Sequence, residues 1–199
     1  MSFRTIALAL AATPALLLAQ AATTHAGHGA GHAMPAAQAN FLNDTATTEI
    51  YTSGVVGKTG AVRPVSLASL RGQTVVLAFF PRVRTSGCTA QLTGYRDKWK
   101  ELFAGGDKVT MIAISTDASA DQQAWAAEAN FPMLFGSDKG GKVGGLYGAF
   151  EATAGYDKRY LYVIGPDGKV TYVAKPFRQM VETAYTELGQ AVGKARTGR

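Results

Sequence analysis

A lone cysteine, Cys88, stands in the segment Phe79-Phe80-Pro81-Arg82-Val83-Arg84-Thr85-Ser86-Gly87-Cys88-Thr89, where an apolar run ends and a helical pattern begins. A thiol in the first turn of a helix meets free backbone N–H groups and the positive end of the helix dipole. Both favour the thiolate, which is the nucleophilic form. Arg82 and Arg84 bring positive charge close by in sequence. Thr85 and Ser86 are residue types that cap helices through their hydroxyls, and the Thr85 hydroxyl can equally face an oxygen ligand bound near the sulfur. The competing reading of Cys88 is a small buried hydrophobe. A dithiol oxidoreductase is a poor fit, because the position three residues before Cys88 is threonine and the 199 residues hold no second cysteine.

Other reactive groups are sparse. All three histidines, His25, His28 and His32, lie in an Ala/Gly/Thr-rich stretch with Met34 close by. Imidazole and thioether suit copper or zinc, so these are weak candidate metal ligands, with an incidental polar linker as the alternative. No histidine is left for catalysis in the domain. The run Lys139-Gly140-Gly141-Lys142-Val143-Gly144-Gly145 lacks the Lys-Ser/Thr pair of a phosphate loop and reads as a loop and frayed helix. Asp138, Glu151 and the remaining carboxylates show no spacing that suggests a paired acid and base.

The elements that must position Cys88 follow from periodicity. Thr74 to Phe80 is a continuous apolar run rich in valine and phenylalanine, as expected of a strand buried on both faces. Leu92, Tyr95, Trp99 and Phe103 recur at helical spacing, so a helix starts near Cys88 and lays an aromatic stripe on the sheet. Val109 to Ser115 is a second strand, and Asp117 to Asn130 a helix carrying Trp125, with Asp and Ser available as caps. Tyr160 to Ile164 and Val170 to Val173 flank Gly165-Pro166-Asp167-Gly168, a turn signal that implies a hairpin. Phe177, Met180, Ala184, Leu188 and Val192 mark one face of a closing helix. The order is β-α-β-α-β-β-α, which places the chain in the α/β class, with a central mixed sheet flanked by helices.

The chain's length suits one folded domain. Its formal charge of +6 and pI near 9.5 come from scattered basic residues without an arginine-aromatic stripe, so no nucleic-acid partner is expected. At the N-terminus, Arg4 precedes an apolar run from Ile6 to Leu18 and the triplet Ala19-Gln20-Ala21, the order of a cleavable secretory signal. The run is short for a bilayer span and is interrupted by Thr13 and Pro14, so no stable membrane association is expected. The expected organisation is a signal peptide over 1–21, a disordered linker over 22–40, the domain over 41–194 and a basic tail over 195–199, with a periplasmic or secreted location.

The spacing of Pro81, Thr85 and Cys88 at the end of a strand resembles the peroxiredoxin signature, Pro, three residues, Thr, two residues, Cys. Phe79-Phe80-Pro81, Gly87-Cys88-Thr89 and Tyr95-Arg96-Asp97 resemble its bacterioferritin-comigratory-protein (Q-type) branch, over about Val65 to Val192. The resemblance implies a thioredoxin-like fold and a thiol peroxidase without a cofactor. Cys88 would attack a peroxide, with Thr85 and the backbone N–H groups of Gly87 and Cys88 holding it. Pro81 would shield the sulfur, although a simple strand terminator is an equal reading. The family's arginine before a later strand falls on Arg159, for which the alternative is a surface ion pair with Asp157. Thr93 occupies the position where many of the branch carry a resolving cysteine, so an external thiol reductant, a thioredoxin-like protein or a small thiol, is implied. The rival function is a non-enzymatic thioredoxin-fold module binding copper through the histidine-rich segment.

Overall fold

The computed structural model describes Val55–Val56 and residues 62–198. The expected signal, the linker and His25, His28 and His32 lie outside the described residues. Thr74–Phe79 forms strand β3, and all six of its side chains are buried. Alternation sends Val76 and Ala78, followed by Phe80, into one core and Val75, Leu77 and Phe79 into the other, so an uninterrupted apolar run is what a central strand needs.

Around β3 the sheet takes the order β2-β1-β5-β4-β3-β8-β9. Strands β1 (Val55–Val56) and β2 (Val62–Arg63) form one edge. Strands β4 (Val109–Ser115) and β5 (Leu134–Ser137) run parallel to β3, while β8 (Leu161–Ile164) and β9 (Val170–Ala174) run antiparallel to their neighbours. The sheet is therefore mixed, as expected. The hairpin turn is closed by Gly168 N–H to Gly165 O at 2.8 Å, with Gly168 at φ 80°, a conformation glycine adopts without strain. A two-stranded ribbon, β6 (Phe150–Glu151) with β7 (Tyr156–Asp157), precedes β8.

Helices α1 (Ser86–Asp97), α2 (Trp99–Phe103), α3 (Ser119–Glu128) and α5 (Glu182–Thr197) share one core cluster through Leu92, Tyr95, Phe103, Trp125 and Leu188. The short α4 (Lys142–Leu146) packs Val143 on the opposite face of the sheet. Three expectations need correction. The helix after Cys88 is not continuous to Phe103 but breaks at Lys98 (φ −102°, ψ 19°), which turns α2 against α5. The closing helix begins only at Glu182, so Phe177 is buried from a loop, and Met180 is 77% exposed. The α3 N-cap is Ala118 with no side-chain cap, because the Asp117 carboxylate is engaged elsewhere. At its other end α5 continues to Thr197 and buries Ala195.

Gly94 of α1 lies under a side chain of α5: a Cβ there would lie 2.6 Å from Tyr185 Oη. Gly94→Ala therefore forces the Tyr185 ring aside. It should destabilise the chain by about 1–3 kcal/mol, the usual range for overpacking. A lower urea midpoint with an unchanged slope is the expected result; an unchanged midpoint would mean the ring moves without cost.

Candidate active site around Cys88

The end of β3 is pinned on both sides, by Phe79 N–H to Tyr160 O at 2.8 Å and Phe80 N–H to Ile114 O at 2.9 Å. The chain then turns through residues 81–85 into α1. Two carboxylates hold this turn: Val83 N–H donates to Asp117 Oδ2 at 2.9 Å, and Arg84 makes a two-point pair with Glu128 at 2.7 and 3.2 Å. Arg84 has φ 58°, the left-handed region that costs a side-chain-bearing residue energy. Its charge is thus spent on α3 instead of the sulfur, contrary to expectation, and Arg82 is exposed. Pro81 is half-buried at the start of the turn.

Thr85 is the N-cap of α1 through its backbone, with its carbonyl accepting the Thr89 N–H at 2.8 Å. Its hydroxyl makes no cap; it donates to Arg82 O at 3.1 Å. Cys88 is the third residue of the helix, within the turn whose N–H groups lack helical partners, and is fully buried. Arg159 Nη2 lies 3.4 Å from Cys88 Sγ, and Nη1 donates to Gln91 Oε1. Gln91 Nε2 in turn donates to Tyr95 Oη at 3.1 Å. Cys88, Gln91 and Tyr95 are spaced three and four residues apart, so they lie along one face of α1, and all are buried. Burial pushes the Tyr95 hydroxyl well above the usual phenol range, keeping it protonated, and a weaker opposing effect comes from Gln91.

Cys88, Gly87 and Arg159 are thus brought together, with Thr85 and Pro81 on the preceding turn. Gln91 and Gln179 join them unforeseen. A Cβ on Gly87 would lie 3.2 Å from both Arg159 Nη2 and Gln179 Nε2, so a side chain there would press on both groups. A groove of about 710 Å³ between β9 and α5 contains none of these residues.

The model of the AhpC/TSA family matches residues 43–173. The chain belongs to the AhpC/TSA family. Among relatives of this AhpC/TSA chain, the chloroplastic peroxiredoxin Q of Sedum lineare is 35% identical over 112 residues, covering 56% of this chain and 59% of the relative. Peroxiredoxin Bcp of Escherichia coli is 32% identical over 122 residues, covering 57% of this chain and 76% of the relative. The chain spans 51–62% of the length of the first few curated relatives it matches. Of solved structures, peroxidoxin BcpB of Mycobacterium tuberculosis superposes with a TM-score of 0.56 at 30% identity, covering 71% of this chain and 89% of that one. AhpC of Enterococcus faecalis gives a TM-score of 0.62 at 17% identity over 72% and 86%, a likeness of fold. These neighbours confirm the thioredoxin-like fold expected for an AhpC/TSA chain.

Two residues before Arg159, the AhpC/TSA chain buries a carboxyl without a partner. Asp157 is fully buried, and neither of its oxygens has a hydrogen-bond partner among the described residues. The surface ion pair considered for Arg159 is therefore not made. Asp157 shares the site of Gly144 with Asp138, whose oxygens accept the Val143 and Gly144 N–H groups at 2.9 and 2.6 Å. Burial first, then the charges of Asp138 and Asp117, push Asp157 up to about 8 from 3.8. Sequence spacing gave no hint of this pair, because its members lie on separate elements.

The unfolded chain releases the Asp157 proton near pH 4, whereas the native chain holds it to about pH 8. The native state thus binds the extra proton between those values, so the contribution of Asp157 to stability is fully present below pH 4 and is lost as pH rises towards 8. Asp157→Asn should gain stability relative to the parent as pH increases through that window. Urea midpoints at pH 5 and pH 8.5 test this, and a constant difference at both would refute it.

Proposed function

We propose that this chain is a thiol peroxidase with Cys88 as its peroxidatic cysteine. The observation that carries this is the contact of a fixed guanidinium, Arg159 Nη2, with a buried sulfur in the first turn of α1 at 3.4 Å. Family membership and peroxiredoxin relatives favour it over a non-enzymatic copper-binding module.

The Cys88 thiolate attacks one peroxide oxygen. The S–O bond forms as the O–O bond breaks, the sulfur is oxidised to sulfenic acid, and the departing oxygen takes a proton and leaves as water or an alcohol. Thr85 and the N–H groups of Gly87 and Cys88 hold the peroxide, Pro81 limits water, and Arg159 stabilises both thiolate and transition state. With Thr93 at the position of the usual resolving cysteine and no other cysteine in the 199 residues, an outside thiol completes the cycle. It condenses with the sulfenic acid to a mixed disulfide, releasing water, and a second thiol then frees Cys88. Arg4, the apolar run to Leu18 and the Ala19–Ala21 triplet support a cleaved signal and a periplasmic or secreted site of action.

The test is the rate at which hydrogen peroxide adds one oxygen to Cys88 in the full chain, trapped with a sulfenic-acid reagent and read by intact mass. Oxidation far faster than that of a free thiol is expected. Arg159→Ala should slow it by about 10²–10³, the cost of losing one preorganised charge donor. Oxidation no faster than a free thiol would refute the peroxidase.

A further inference from the structure

The loop between β9 and α5 carries a carboxamide to the same side of Gly87 as the Arg159 guanidinium. Gln179 Nε2 and Arg159 Nη2 each lie 3.2 Å from where a Gly87 Cβ would stand, so two donor nitrogens converge on the one residue of the α1 first turn that lacks a side chain. The loop is held there at both ends. Phe177 is buried and its N–H donates to Arg159 O at 2.7 Å, while Tyr185 Oη donates to Gln179 O at 2.9 Å. Tyr185 in turn lies over Gly94 of α1. The Gln179 side-chain amide makes no hydrogen bond to another described residue, although its backbone is tied. It is half-buried where Cys88 and Gln91 are fully buried, which sets it nearer to solvent than the sulfur.

Building on the peroxidase reading, we propose that Gln179 is a further substrate-contacting residue, its Nε2–H donating a hydrogen bond to the leaving oxygen of the peroxide while Arg159 serves the sulfur and the oxygen under attack. As the S–O bond forms and the O–O bond breaks, the electron pair passes to the leaving oxygen before solvent protonates it. An amide donor at that place stabilises the developing charge. Being neutral, it adds this without drawing Arg159 into a competing ion pair, as a carboxylate there would.

The test measures two rates on the full chain: oxidation of Cys88 by hydrogen peroxide, and its alkylation by iodoacetamide, whose departing iodide needs no such donor. Gln179→Met keeps the length of the side chain and removes the donor; Gln179→Glu removes the donor and adds a charge. Peroxide oxidation should fall about tenfold in the methionine variant, the effect of one hydrogen bond, and further in the glutamate variant, while methionine leaves alkylation unchanged. A parallel fall of both rates in the methionine variant would overturn the proposal by showing that Gln179 only positions Arg159 or the turn. No change in either would show that it takes no part. A parent chain that peroxide oxidises no faster than a free thiol would instead remove the peroxidase reading, and this contact with it.

Discussion

The antiparallel pairing of β3 with β8 carries Arg159 to the end of the strand that delivers Cys88. Ala78 sits opposite Leu161, and Phe79 N–H donates to Tyr160 O at 2.8 Å, so Arg159, two residues before β8, is registered against the turn just after β3. Both strands are buried, so a slip of one residue would turn their apolar side chains to the wrong faces. The same register thus secures the core and the 3.4 Å contact between guanidinium and sulfur. Gln91, one turn along α1 from Cys88, fixes the other guanidinium nitrogen.

The turn between β3 and α1 is held against its own conformational preference. Arg84 in the left-handed region costs on the order of 1 kcal/mol. Asp117 on the Val83 N–H and Glu128 on Arg84 offset that cost. Asp117 also accepts the Ser115 hydroxyl at 2.8 Å, which ties the turn to the end of β4. Charge that looked available to the sulfur is therefore a structural clasp, and the cationic field at Cys88 comes from Arg159.

Elements declared by local pattern were legible in the sequence. The apolar run of β3, the run of β4 and the Gly165–Gly168 turn each specify their structure without distant partners. Strand β5 was not legible, since Leu134-Phe135-Gly136-Ser137 is short and half small residues. The β6–β7 ribbon was equally silent, with two residues in each strand. Met180 matched helical spacing by coincidence, because periodicity says nothing about where a helix starts. At the site, the meeting of Cys88 with Arg159 was legible through a family motif, whereas the Thr85 hydroxyl, read as facing a ligand, donates to Arg82 O. Gln91 and Gln179 were not legible, since a glutamine carries no signal until folding sets it beside an arginine. Asp138 and Asp157 met the same obstacle, as their proximity arises only through Gly144.

The complete burial of Cys88 means that the proposed cycle needs a second shape of one helix turn. A sulfur with no surface open to water is closed to a peroxide and to a thiol alike, so both halves of the cycle require the first turn of α1 to yield. Oxidised protein then persists for as long as that turn stays shut. In that proposed cycle turnover cannot outrun the yielding of this turn, whose approach from β3 is held by Asp117 and Glu128.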